Sequence, residues 1–306
     1  MSSISHQTPK HLSNPRRLLI LSPTSHAQAT VPALLHSLTG IPVNAPPQTT
    51  PTGNKLPAAG EEVKVETEPE ITTVSFAGYT THAPFRIETK YYTADVPIWV
   101  DEIALPIGES QSSTGSSSSP PSAPPSTTAA QWKTEFLSSE AQVVREAIGA
   151  VIVCIQNLAV PSAPVPSEDA VGSSSSQFLS DRVEVRALKD FLKMIGEVKS
   201  QIEEERGGIG EVPGLLVLME TKGKPQHGEG DVFSAPWWED ELYAMGVIGY
   251  EVVSWDPTAD TGEEKRNQFG GSLYSPFITL SILSPTFFFL LQSLQMVYTT
   301  LTTAFP

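Results

Sequence analysis

The chain has 306 residues and a formal net charge of −15, with 34 Asp and Glu against 19 Lys and Arg. Tracking a phosphate backbone needs concentrated Lys and Arg to displace counterions. Here the basic residues are scattered apart from Lys10, Arg16 and Arg17, which argues against a nucleic-acid surface. The single cysteine, Cys154, excludes an internal disulfide and suits a reducing cytosol.

Three stretches, about 42–70, 108–130 and 161–178, are too rich in Pro, Ser, Thr and Gly to bury much surface. They read as disordered insertions in one domain covering 16–265, behind a disordered leader at 1–15. Without them and the tail, roughly 180 residues remain, the size of one globular domain. Leu18–Leu21 is too short for the apolar core of a signal peptide.

The first ordered element is "RRLLILSP", where Leu18–Leu21 predicts a short buried strand stopped by Pro23. A loop is expected next, then a helix carrying Leu34, Leu35 and Leu38, with Gly40 as its C-cap. "EITTVSFAGY" and "ADVPIWVDEI" alternate and predict two neighbouring strands, antiparallel to each other. "QWKTEFLSSEAQVVREAIG" has a helix-like pattern, and "AVIVCIQNL" (150–158) predicts a strand covered on both faces. In "DRVEVRALKDFLKMIGEVKSQIEEE", Val185, Leu188, Leu192, Ile195, Val198 and Ile202 recur every three or four residues, predicting a long amphipathic helix. "GLLVLMETKG" predicts another buried strand, "WWEDELYAMGV" a short acidic helix and "GYEVVSWDP" a last strand. This alternation points to an α/β fold with an open, mostly parallel sheet and right-handed crossovers.

Such a sheet invites a search for a phosphate site after the first strand. A phosphate loop needs glycines, so that backbone N–H groups wrap the anion, and a lysine for the terminal phosphate. "SPTSHAQAT" (22–30) has neither, and the dinucleotide pattern G-x-G-x-x-G is absent there. "GGIGEVPG" (207–214) follows a helix and precedes a strand, the context of a helix stop. At "METKGK" (219–224), Thr221 and Lys224 stand where a guanine-specific N-K-x-D strand end would carry its amide and acid. A γ-phosphate-sensing D-x-x-G is also missing after Trp99. Cys154 reads as a core residue, and the six histidines form no metal pair. His26, in the loop expected after the first strand, reads as solvated or capping. No catalytic, cofactor or metal site is therefore expected. Trp237 and Trp238 either anchor a partner or pack their helix onto the sheet.

One stretch is more distinctive. "APFRIETKYYTADVPIWV" resembles the "KYYSADI" segment, with its aromatic approach, of the alpha- and gamma-adaptin-binding protein family and its fungal increased recombination centers protein six relatives. "AMGVIGYEVVSWDP" and "GLLVLME" fit later segments of that family. The resemblance implies a small-GTPase-like domain without the nucleotide motifs. It also implies binding to adaptin subunits of clathrin adaptor complexes, adaptor assembly or regulation in vesicle traffic, and a cytoplasmic place at coated membranes. A Rab-type GTPase is a possible second partner of such a protein. The positions it marks are Lys90, Tyr91, Tyr92 and Asp95, beside Trp237 and Trp238. The alternatives are a nucleotide hydrolase with a divergent loop, and the genome-maintenance role that the fungal family name suggests.

The tail departs from the family. No charged residue follows Arg266, and "FITLSILSPTFFFLLQSLQMV" (277–297) is long enough to cross a bilayer. A membrane anchor is one reading of 266–306. The abrupt switch in composition near Gly270, with Pro285 and the Ser and Thr content, favours the other: read-through of an intron.

Overall fold

The computed structural model describes residues 10–43, 75–79, 81–88, 91–105, 128–159, 179–220 and 231–258. Lys90, most of the Ser/Pro-rich stretches and the tail after Thr258 lie outside the described residues.

The elements are β1 (Lys10–Leu12), β2 (Arg17–Pro23), α1 (Thr24–Thr39), β3 (Phe85–Glu88), β4 (Tyr92–Val96), β5 (Ile98–Ile103), α2 (Ala129–Phe136), a 3₁₀ turn (Ser139–Ala141), α3 (Gln142–Ala147), β6 (Ile148–Gln156), α4 (Val183–Arg206), β7 (Gly214–Met219), α5 (Ala235–Ala244) and β8 (Tyr250–Trp255). Five strands form a parallel sheet in the order β5-β2-β6-β7-β8. In chain order this is 2-1-3-4-5, a doubly wound arrangement. The mostly parallel open sheet expected from the sequence is present. A second sheet, ordered β1-β4-β3, pairs β4 parallel to β1 and antiparallel to β3.

Burial on both faces explains the continuous apolar strands. Successive side chains of β6 point to opposite sides. Ala150, Ile152 and Cys154 pack with Val31, Leu34 and Leu35 of α1. Val151, Val153 and Ile155 pack with Leu188, Phe191 and Leu192 of α4. The stripe read from the sequence is the buried face of α4, which ends at Gly207 (φ 114°). Gly40, at φ 72°, closes α1 and donates to His36 O at 2.8 Å. Both caps need a left-handed residue, where glycine carries no Cβ penalty.

Four expectations change. No loop separates β2 from α1, because the helix starts at Thr24. "ADVPIWVDEI" is two strands in two sheets, divided at Pro97, whose carbonyl accepts from Leu18 N at 3.0 Å. Within "EITTVSFAGY", 70–74 lie outside the described residues, and the expected antiparallel pairing is seen as a single bridge from Gly78 to Val100. The helix-like pattern after Gln131 is broken into α2, a 3₁₀ turn and α3. Arg145, 5% exposed, fixes that break by donating to Phe136 O and Ser138 O, both at 2.7 Å.

Candidate functional site

Doubly wound sheets bind ligands outside the carboxyl ends of their strands, at the point where strand order reverses. In this sheet that point lies between β2 and β6. It is occupied by the protein's own groups. Ser22 is buried with its Oγ 3.2 Å from Thr30 Oγ1, and Thr30 donates to His26 O at 3.0 Å. His26 stands in the first turn of α1, not in a loop. Its Nδ1 accepts the Gln156 backbone N–H at 3.2 Å, bridging α1 to the end of β6. Accepting at Nδ1 requires that nitrogen to be unprotonated, and burial lowers the imidazole pKa.

The next strand ends are joined in the same way. Asn157 Nδ2 donates to Glu220 Oε1 at 2.7 Å and to Phe233 O at 3.1 Å, while its Oδ1 accepts from Leu158 N at 2.9 Å. Glu220 Oε1 also accepts from the Ser254 hydroxyl. Hydrogen bonds therefore run across the ends of β6, β7 and β8. Among the described residues, the side chains that join these bonds are Ser, Thr, His, Asn and Glu, not the lysine that a phosphate loop uses.

The tyrosine motif lies elsewhere. Tyr92 opens β4, the central strand of the small sheet, so Tyr92–Val96 of the motif form a strand and are more than a connection to one. Tyr92 packs partly buried against the cluster beneath α1, and burial raises its hydroxyl pKa. Tyr91 is 69% exposed, and its carbonyl accepts from Lys10 N at 3.0 Å. Asp95 faces Arg86 across the β3–β4 ladder at 3.7 Å.

Trp237 and Trp238 begin α5, whose N-cap Ser234 accepts from Trp237 N at 3.4 Å. Trp238 is fully buried among α4 and α5 residues and packs its helix onto the sheet. Trp237 is half-buried, with the Lys189 ammonium 5.3 Å from its ring centroid. Lys189 is in turn ion-paired with Glu241 at 2.8 Å. The two tryptophans touch, at 4.9 Å between ring centroids. They belong to the cluster on the face of the sheet opposite Tyr92, so the candidate residues form two separate patches.

A third patch was missed in the sequence. On the edge strand β5, Asp101 Oδ2 accepts from Tyr79 Oη at 3.0 Å and from Trp132 Nε1 at 2.9 Å. Burial raises the Asp101 pKa, and the two hydrogen bonds oppose that shift. Tyr79, 45% exposed, lies 5.0 Å from Trp99, and the Arg17 guanidinium is 5.9 Å from the Trp99 ring. Gly78 and Val100 exchange backbone hydrogen bonds of 2.8 and 2.9 Å, and Glu102 accepts from Phe76 N. Residues 75–79 are thus pinned along β5, presenting an aromatic cluster at the sheet edge. An aspartate that alternation places on a covered strand, next to Glu102, was the available signal. Its partners are 22 and 31 residues away, beyond the reach of local pattern.

No family model matches the chain, and no curated protein matches it. Among solved structures, the chain is similar to the crystal structure of yeast Irc6p, described as "a novel type of conserved clathrin accessory protein". The alignment covers 80% of this chain and 81% of that one, at 9% identity and a TM-score of 0.34.

Proposed function

We propose that this protein is a non-catalytic accessory of clathrin-mediated transport that binds adaptin subunits and assists assembly or regulation of adaptor complexes. The observation that carries the reading is the carboxyl edge of the sheet. Ser22 pairs with Thr30, His26 with the Gln156 backbone and Asn157 with Glu220, at the place where a catalytic relative would hold its ligand. The "KYYTADV" resemblance supplies the partner class, and its exposed Tyr91 suits contact with a protein more than chemistry. The parallel sheet, with Gly78 bridged antiparallel at the β5 edge, supports a GTPase-like scaffold without nucleotide.

On this reading residues 16–265 are the working domain, acting through sheet edges and helix faces at the cytoplasmic side of coated membranes. Tyr91, Tyr79 and Trp99 are the aromatic groups best placed to meet a partner, since tyrosine and tryptophan dominate interface hot spots. The test is capture of isolated large adaptin subunits by the purified full chain. Retention that weakens at least tenfold in Tyr91→Ala or Tyr79→Ala supports the proposal. Retention of no adaptin subunit overturns it.

A further inference from the structure

The sequence gathers Lys10, Arg16 and Arg17 near its start, and the fold brings a further arginine to Arg16. Arg16 leads directly into β2, whose first residue Arg17 pairs with Ile148 at the start of β6. Arg206, the last residue of α4, donates from Nη2 to Arg145 O at 2.6 Å and to Glu146 O at 3.1 Å, near the end of α3. The two arginines therefore meet where α3 passes into β6, at the amino end of the sheet. Burial, and after it repulsion from Arg16, lower the Arg206 pKa to about 10. Neither guanidinium has its full set of partners. Arg16 Nε and Arg206 Nη1 are buried without a hydrogen-bond partner. Among the described residues, Arg16 makes no hydrogen bond or ion pair.

We propose that Arg16 and Arg206 form a docking site for an acidic side chain of a protein partner. The chain's own carboxylates do not fill it. Glu205 is held by Arg145, and Glu146 accepts from Gln142 at 3.0 Å. Glu211 attracts both arginines, yet among the described residues it forms an ion pair with neither. Two guanidiniums with open donors match a carboxylate, which accepts paired N–H bonds in one plane. Apolar groups flank the same positions in the chain. Val143, two residues before Arg145, is 75% exposed, and Ile209, three residues after Arg206, is 78% exposed. A polypeptide that carries acidic and apolar side chains uses both features, whereas a free anion or a lipid headgroup uses the arginines alone. A net charge of −15 also repels an anionic bilayer, so a local pair of arginines suits a discrete carboxylate. The site is independent of the adaptin reading, because it fixes the chemistry of a partner and not its identity.

The test is fluorescence anisotropy of the full chain with fluorescein-labelled hexaglutamate at low ionic strength, with hexaglutamine as the neutral control. Saturable binding of hexaglutamate alone is expected. It weakens at least about tenfold in Arg16→Gln and tightens in Glu211→Gln, which removes a competing carboxylate. Arg206→Gln also loses the bonds to α3, so Arg16→Gln carries the test. Because Arg16 bonds nothing among the described residues, that variant is expected to melt no more than about 2 °C below the parent. A larger drop makes Arg16 a brace of the fold and overturns the proposal. So does the absence of saturable hexaglutamate binding, or binding that Arg16→Gln leaves unchanged. Inorganic phosphate or phosphatidylserine vesicles that bind through Arg16 when hexaglutamate does not overturn it as well, since the anion then comes from no protein.

Discussion

The two ends of the main sheet are both closed by polar contacts, but with different chemistry. At the amino end the contacts are buried ion pairs. Lys199, fully buried on α4, bonds Glu203 at 2.8 Å and Ile248 O at 3.2 Å. Glu203 also accepts from Gly210 N at 2.9 Å, which ties α4 to the turns before β7 and β8. Arg145 meets Glu205 at 2.8 Å with the arginine side chain 6% exposed, and that contact lowers the Glu205 pKa. At the carboxyl end the contacts run through His26, Asn157, Ser254 and Glu220. Catalytic sheets of this kind brace the amino end and leave polar groups at the carboxyl end free for a ligand. Here the carboxyl-end groups are spent on the fold as well. The difference between the ends lies in how much stability each set of contacts holds, and the following variants measure it.

The largest loss is expected at the amino end. Glu203→Ala leaves the Lys199 ammonium buried without its counter-charge, which costs about 3–5 kcal/mol of unfolding free energy in urea titrations. Replacing the pair together, as Lys199→Met with Glu203→Leu, is expected to recover much of that loss. If single and double variants are equally unstable, the ion pair is not the brace. Asn157→Ala comes next, at about 1–3 kcal/mol, because Phe233 O and Glu220 each lose a donor. An unchanged urea midpoint for that variant would mean that the carboxyl-end bonds are incidental and the edge is open to a ligand.

A smaller effect follows from His26. Its folded pKa is lowered, so the unfolded chain binds the proton more readily. The stabilisation is therefore present above the ordinary histidine pKa of about 6.5 and is lost as pH falls through it toward the folded value. Melting curves of the parent are expected to drop more steeply from about pH 7 to 5 than those of His26→Gln. Parallel curves would remove His26 from the switch-point contact. Smallest is Arg86→Ala. The Arg86 and Asp95 side chains are 66% and 45% exposed, so losing the pair costs under about 1 kcal/mol. A larger loss would show that the tyrosine motif is braced by more than its ladder.

The sequence disclosed the parts of the fold whose burial is complete or strictly periodic. β6 and β7 read as uninterrupted apolar runs because both their faces are covered, and α4 as a stripe because one face is. It disclosed less where tertiary contacts divide a uniform pattern. Pro97 parts "ADVPIWVDEI" between two sheets, yet the alternation runs through it unchanged. Arg145 reaches back to Phe136 O and Ser138 O, so a helix-like pattern becomes two short helices. Pro23 reads as a strand stop, but it serves as the N-cap residue of α1 and leaves no loop. For the site, the missing glycines and lysine were legible in "SPTSHAQAT", whereas Tyr79, Trp99, Asp101 and Trp132 meet only once β5 is in place.

The central claim is that the carboxyl edge serves the fold and does not hold nucleotide. Calorimetric titration of the full chain with GTP and with ATP, each in excess Mg²⁺, tests it most directly. The account predicts no saturable heat with either nucleotide. Binding at micromolar Kd that Asn157→Ala or His26→Gln alters would contradict it, because those groups would then be serving a ligand.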